Sequence, residues 1–416
     1  MPSQAIRAGG ASDSHRVNPT YAPVRTSDEE AGPVQGEDRP TIRLRRALAE
    51  AARGVVGPGG RDGRGRIVVR ADATRHVLRD SLVIGGNTHL DATGAHFVAD
   101  FPVVPATYER DPDPTHRHSP EPPYPPRFTG VRTARGVRTA SMLINEVAPD
   151  ARGYQAPGNI VVRGGTWDPT EHYLRDEAPG PDLDRATGAP PMNALTFQHT
   201  QDVVVQDVVV RNVKWWHAVE FNAVRNATVR CCLLQGWVEA PTVGLWHGEA
   251  VQLDTATRAT VWGGAADLTP CSEIRVVHNR CGPSTTRRSW GTLLGSHTFA
   301  DGIRHRYVRI EGNTVRETLW DAIGPIGTDG LVISENDIRG CWGGIHVRSV
   351  TPNPLDGVTV TGNSVSLDPN TDRLAIGVRA VPRAGISRVT VRENRIASGP
   401  ISYVGDVSFT APPQRT

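Results

Sequence analysis

Lysine is all but missing from this chain: Lys214 stands alone among 46 basic residues. Those residues are balanced by 44 acidic ones, for a formal net charge of +2. That near-neutral balance excludes the basic footprint of a nucleic-acid partner and the pull of a membrane surface. Scarce Lys beside abundant Ala, Gly, Pro and Val points to coding in a high-GC genome, of the actinobacterial kind. Cysteine is sparse as well. Cys231, Cys232, Cys271, Cys281 and Cys341 are odd in number and lack CxxC spacing, which excludes a disulfide framework and a zinc site. Buried thiols are the expectation. No apolar stretch follows Met1 and no apolar run approaches a membrane span, so the expectation is a cytoplasmic protein with no membrane partner. A sustained helical period is absent outside residues 46–52.

What is present is repetition. A Trp, one residue, a small residue and then an alternating strand recur as WHAVEFN from Trp216, WGTLLGS from Trp290, WDAIGPI from Trp320 and WGGIHVR from Trp342. The phrase recurs without its Trp at Asn193, Gly248 and Leu374. Between these phrases a second strand ends in a turn with Asn: Asn279, Asn313, Asn336, Asn363 and Asn394. Steps of 34, 23, 27 and 31 residues lie in the range of a solenoid. Alternation over four to six residues makes the units strands, and two or three short strands per unit build a right-handed parallel β-helix. Stacked Asn residues then form a ladder along one turn. By length the chain could hold two domains, but a solenoid keeps one core. The expected organisation is a disordered tail over 1–40, one β-helix domain over 41–405 and a C-terminal tail over 406–416. Insertions interrupt the coils at 101–157, 166–192, 238–247 and 255–270.

This pattern over residues 41–405 resembles the pectin-lyase-like β-helix superfamily. The resemblance rests on the coils, the Asn turns and the segment RLRRALAEAARG, a short helix that covers the open end of the first coil, followed by GRIVVRAD and SLVIGGNTHLDATGAHF. It implies the fold and leaves the chemistry open, because one fold hosts many activities. The secreted pectate lyases use calcium-binding aspartates and an Arg base in an RxPxxR-like segment; Arg379–Arg383 lacks that spacing. Polygalacturonase-like hydrolases show NTD, DD and GHG; here only GTD at 327–329 and GSH at 295–297 echo them, and no Asp-Asp pair exists. Neither catalytic set carries over.

The site is therefore read from the columns. Aligning strands on Ala194, Ala218, Ala250, Thr292, Ala322, Gly344 and Ala375 sends the second and fourth positions inward. The third column then reads Thr196, Glu220, Gln252, Leu294, Gly324, His346 and Gly377, and the fifth Gln198, Asn222, Asp254, Ser296, Ile326, Arg348 and Arg379. Both are expected to face solvent as a polar strip walled by the long loops, a concave setting that ligands favour. Glu220 and Asp254 fall on a diagonal with Cα atoms roughly 8 Å apart, within reach of an inverting acid/base pair. Asp254, His297, Glu249 and Glu220 are the candidate catalytic groups. Gln252, Asn222, Ser296, Trp237, Trp246, His346 and Arg348 are the candidate substrate-binding groups. For each, a solvated sheet face, a turn residue or a surface ion pair is the plain alternative, and for the Trp phrases an aromatic stack along the solenoid. No cofactor is expected; Ca²⁺ held by Glu220, Asp254 and a substrate carboxylate is the one exception considered. The function expected is acid/base chemistry on a carbohydrate, as a glycoside hydrolase or polysaccharide lyase. An intracellular secondary-metabolism cyclase, epimerase or dehydratase acting on a small molecule, and a non-catalytic carbohydrate-binding solenoid, are the alternatives.

Overall fold

The computed structural model describes residues 34–101, 103–106, 128–133, 136–138, 140–173, 192–238, 248–257, 263–296, 302–349, 354–380, 385–403, 407–408 and 414–415. Short parallel strands stack into three faces of a prism. The first face runs through successive coils from Ile67–Arg70 to Val407–Ser408, and the second from Arg75–Leu78 to Gln414–Arg415. The third runs in two blocks, Leu82–Ile84 to Thr292–Gly295 and Asp321–Ile323 to Ile401–Tyr403, joined by a bridge between Gly295 and Gly324. Among the described residues all inter-coil pairings are parallel, the arrangement of a right-handed β-helix. Eight coils follow one another from Ile160 to Tyr403, as the repeat predicts.

Helix α1, Arg39–Ala52, covers the first coil. Asp38 caps it by accepting a bond from the Thr41 N–H (2.9 Å), and its apolar stripe, Leu44, Leu48 and Ala51, is buried in the solenoid core. Arg45 is buried among them, bonded to Glu37 and to the Ser81 carbonyl, so its charge is matched where it sits.

The Asn ladder forms at one turn. Nδ2 of Asn279, Asn313, Asn336 and Asn363 each donates to Oδ1 of the next Asn at 2.9–3.0 Å, and the backbone N–H beside each donates to the same oxygen. Nδ2 also reaches a carbonyl of the preceding coil, such as Ile310 for Asn336. The residue before each rung, from His278 to Glu393, is left-handed, which bends the chain from the first face to the second. Cys232 fills the equivalent slot one coil earlier, its N–H donating to Asn279 Oδ1. Four of the five cysteines are buried, Cys231 alone being exposed.

Three boundaries differ from the sequence reading. The segment 101–157 is not all insertion: Ala140–Asn145 is a full third-face strand between Leu82–Ile84 and Met192–Gln198. An antiparallel ribbon of Val103–Ala106, Phe128–Thr133 and Gly136–Arg138 precedes it. Likewise Thr166–Asp168 is a second-face strand inside 166–192, and Val407–Ser408 continues the first face beyond 405.

Candidate active site

The third face carries the polar columns, but it is not a solvated surface. Glu220, Asn222, Gln252, Asp254, Glu249 and Ser296 are all buried, Asp254 and Gln252 completely. This corrects the expectation that alternation alone exposes them. Loops lie against this face: Gly263 N–H donates to Gln198 Oε1, Ala265 N–H to the Ala151 carbonyl, and Gly153 N–H to Asp267, closing over His199. An alternating strand reads as half-exposed in sequence, yet covering its outer face buries both sides.

Register places Glu220 beside Gln252 and Asn222 beside Asp254, so the two carboxylates lie on the expected diagonal. The bonding of these groups is inward-looking. Glu220 accepts from Asn193 Nδ2 (2.5 Å) and Thr196 Oγ1 (3.2 Å), and Asp254 accepts from Gln252 Nε2 (2.8 Å). Asp254 also lies near His305, a fully interior histidine whose Nδ1 accepts from Cys271 N–H (3.0 Å). Burial pushes the His305 imidazole down to about 4, against the partly offsetting charge of Asp254.

One strand aligns differently from its sequence phrase. Glu249 pairs with Thr292 and Val251 with Leu294, so Leu294 is in the core and Gly295, not Leu294, continues the outward column. That column is Thr196, Glu220, Gln252, Gly295, Gly324, His346 and Gly377. The same shift separates the tryptophans. Trp290 is fully buried, Trp216 is half-buried beside His217, and Trp320 and Trp342 face outward. A one-residue offset in a strand exchanges its faces. Trp237, expected on a groove loop, sits in the strand Leu233–Val238 at 1 % exposure, and a Cβ on Gly248 would meet its ring at 2.1 Å. Trp246 and His297 lie outside the described residues.

What the fold does bring together is a column three positions earlier on the same strands: Asn193, His217, Glu249, Thr292 and Asp321. His217 N–H donates to Asn193 Oδ1 (2.8 Å). His217 Nδ1 lies 3.1 Å from the Glu249 carbonyl, which only accepts, so this nitrogen carries the proton, and Glu249 Oε2 is 3.5 Å from it. Two coils on, Asp321 Oδ2 meets His346 Nδ1 at 3.1 Å and Oδ1 lies 3.8 Å from Arg373. Between the two carboxylates the adjacent column has no side chains at Gly295 and Gly324. A Cβ on Gly295 would stand 2.7 Å from Glu249 Cγ, and the Arg348 guanidinium lies 3.6 Å from a Cβ on Gly324.

The electrostatics differ along this column. Burial raises the Asp321 carboxyl, but the His346 bond and the charges of His346, Arg348 and Arg373 outweigh it and hold the group below its ordinary value. Arg348 is pushed down by its own burial and by Arg373, against the pull of Asp321 and Glu249. Asp321 is thus a buried anion in a cationic setting, and the half-buried His346 and Arg348 bring the cluster toward the surface. Spacing of two coils puts the Glu249 and Asp321 Cα atoms about 9.6 Å apart. The register of the sequence phrases stacks Glu249 beside His217 and two coils from Asp321, and the strand pairing has the same order. Among the described residues no group of three or more His, Cys, Asp or Glu is placed to hold a metal.

No family model matches the chain, and no curated protein sequence matches it. Solved structures do. PfbA, a surface adhesin of Streptococcus pneumoniae, aligns over 86 % of this chain and 75 % of its own at 14 % identity and TM-score 0.63. A second structure of PfbA aligns over 92 % and 96 %, at 14 % identity and TM-score 0.56. A mutant tailspike of E. coli bacteriophage HK620, in complex with a pentasaccharide, aligns over 89 % of this chain and 57 % of its own, at 12 % identity and TM-score 0.50. At these identities the likeness is one of fold: the chain shares their parallel β-helix architecture.

Proposed function

We propose that the protein is a carbohydrate-active hydrolase whose acid/base pair is Glu249 and Asp321. The observation that carries this is the pair itself: two carboxylates in one column, two coils apart with Thr292 between them, beside Gly295 and Gly324, which leave the adjacent column without side chains. With Cα atoms about 9.6 Å apart, the two side chains can set their carboxyl groups at the roughly 6.5–9.5 Å that holds a water and a glycosidic bond between them. Asp321, kept ionised by its cationic neighbours, takes the proton of the attacking water. Glu249, oriented by His217, protonates the leaving oxygen as the C1–O bond breaks and the water oxygen bonds to C1. Arg348 and His346 line one side and hold substrate oxygens. Of the four catalytic candidates read from the sequence, Glu249 keeps a catalytic role, whereas Glu220 and Asp254 serve the column by fixing Asn193, Thr196 and Gln252. The HK620 tailspike, whose structure holds a pentasaccharide, supports a saccharide as the ligand class.

The test is a screen of polysaccharides for new reducing ends, with the anomeric configuration of the first product read by NMR. Inversion is expected. E249Q should recover on aryl glycosides with acidic leaving groups, and D321N should not, except with added azide. Unsaturated products, or full activity in both variants, overturn the proposal. A non-catalytic carbohydrate-binding solenoid is the second reading, favoured by the likeness to an adhesin and by the depth at which Asp321 lies.

A further inference from the structure

Outside that column the chain has an open cleft of about 430 Å³ at the corner between the second and third faces. It is lined by Trp320 and Trp342, with Arg288, Glu317 and Asp368 around them. The two indoles are neighbours by register, one coil apart, since Asp321 pairs with Gly343 and the Trp320 carbonyl accepts the Gly343 N–H. Trp342 is 39 % exposed, one of few large apolar side chains left to solvent. Trp320 is held in place by the Arg373 guanidinium, 3.4 Å from its ring centroid. Trp290 on the preceding coil is one residue out of this register and turns into the core, so it does not share the cleft.

We infer that this cleft is a binding site for a neutral sugar, distinct from the acid/base column. A pyranose offers a C–H face for an indole and hydroxyls that both donate and accept. Glu317 and Asp368 supply acceptors and Arg288 supplies donors, so both halves of the hydroxyl chemistry are met. With Arg373 stacked on Trp320, two carboxylates are matched by two guanidiniums, and the cleft carries no net charge to favour an ionic ligand over a neutral one. The volume lies within the range of small-ligand sites.

The inference is tested apart from the proposed hydrolysis: Arg373 links Trp320 to Asp321, so the variants used are at Glu249 and Trp342, between which no contact is described. The full chain is titrated by calorimetry with short neutral oligosaccharides of glucose, galactose, mannose and N-acetylglucosamine. Oligogalacturonides and tetramethylammonium serve as charged probes, and E249Q protein removes turnover while leaving the Asp321–Arg373 contact beside Trp320 intact. Binding of at least one neutral series is expected, unchanged in E249Q. W342A should weaken it roughly tenfold, because the exposed indole face no longer covers the sugar, while W342F retains part. The thermal melt should be unaffected, Trp342 being exposed. Three results overturn the inference: no neutral series binds, binding survives W342A intact, or only a charged probe is lost with Trp342.

Discussion

Removing one rung from the middle of the Asn ladder is the sharpest test of the fold. Asn336→Ala deletes four hydrogen bonds. Oδ1 accepts from the Asn313 N–H (3.0 Å) and from Asn313 Nδ2 (2.9 Å), and Nδ2 donates to Asn363 Oδ1 and to the Ile310 carbonyl, both at 2.9 Å. Asn336 is 1 % exposed, so water does not replace the lost partners without opening the turn. At a net of about 1 kcal/mol per bond the loss is about 4 kcal/mol. Asn336→Asp should cost at least as much. It keeps an acceptor for Asn313 but loses both donors, and it sets a buried charge against Asn363 Oδ1 and the Ile310 carbonyl. Because each coil of a solenoid is supported by its neighbours, the damage should centre on the coils of Asn313 and Asn363. Urea denaturation gives the total, and hydrogen exchange of peptides covering residues 309–316 and 355–367 gives the location. Asn370→Ala, which removes only an exposed turn bond to Asp368, is the control. If N336A shifts the transition no further than N370A, or if the neighbouring coils keep their protection, the ladder is not a cohesive element and the reasoning fails.

Further expectations concern pH, the thiols and the glycine floor. His305 is neutral when buried and its imidazole is held at about 4 against 6.5 when free, so the unfolded chain binds more protons between those values. Stability should therefore fall by about 1.4 kcal/mol per pH unit from 6.5 toward 4, and His305→Gln should flatten that slope in melts across pH. Below the ordinary carboxylate value the depressed Asp321 adds a second loss, removed in D321N. In native protein, Ellman's reagent should find one fast thiol, Cys231, because burial pushes Cys232 and Cys271 up to about 12 and leaves Cys281 and Cys341 shielded; several fast thiols would show the core open. Gly295→Ala pushes against Glu249 and should lower kcat on the order of 10²-fold with the melt little changed; normal turnover would remove Glu249 from the chemistry.

Local pattern was enough for the architecture. The Asn turns, the period-two strands and the helix over the first coil are short-range features. Each Asn needs a partner one coil away, and the repeat itself supplies it. The diagonal of Glu220 and Asp254 followed from the same register. Tertiary structure decided the rest, because burial of an outward column depends on what folds over it, and the loops against Gln198 and His199 come from distant parts of the chain. It also decided the one-residue offset at Thr292. The phrase WGTLLGS carries an extra residue between Trp and strand, and only pairing with Glu249 shows that Trp290 turns inward while Trp320 and Trp342 do not. The stacking of Glu249 two coils from Asp321 was legible in the register of the repeats, but the side-chain setting around it, with His346 and Arg373 on Asp321, depends on residues from later coils and came only from the folded chain.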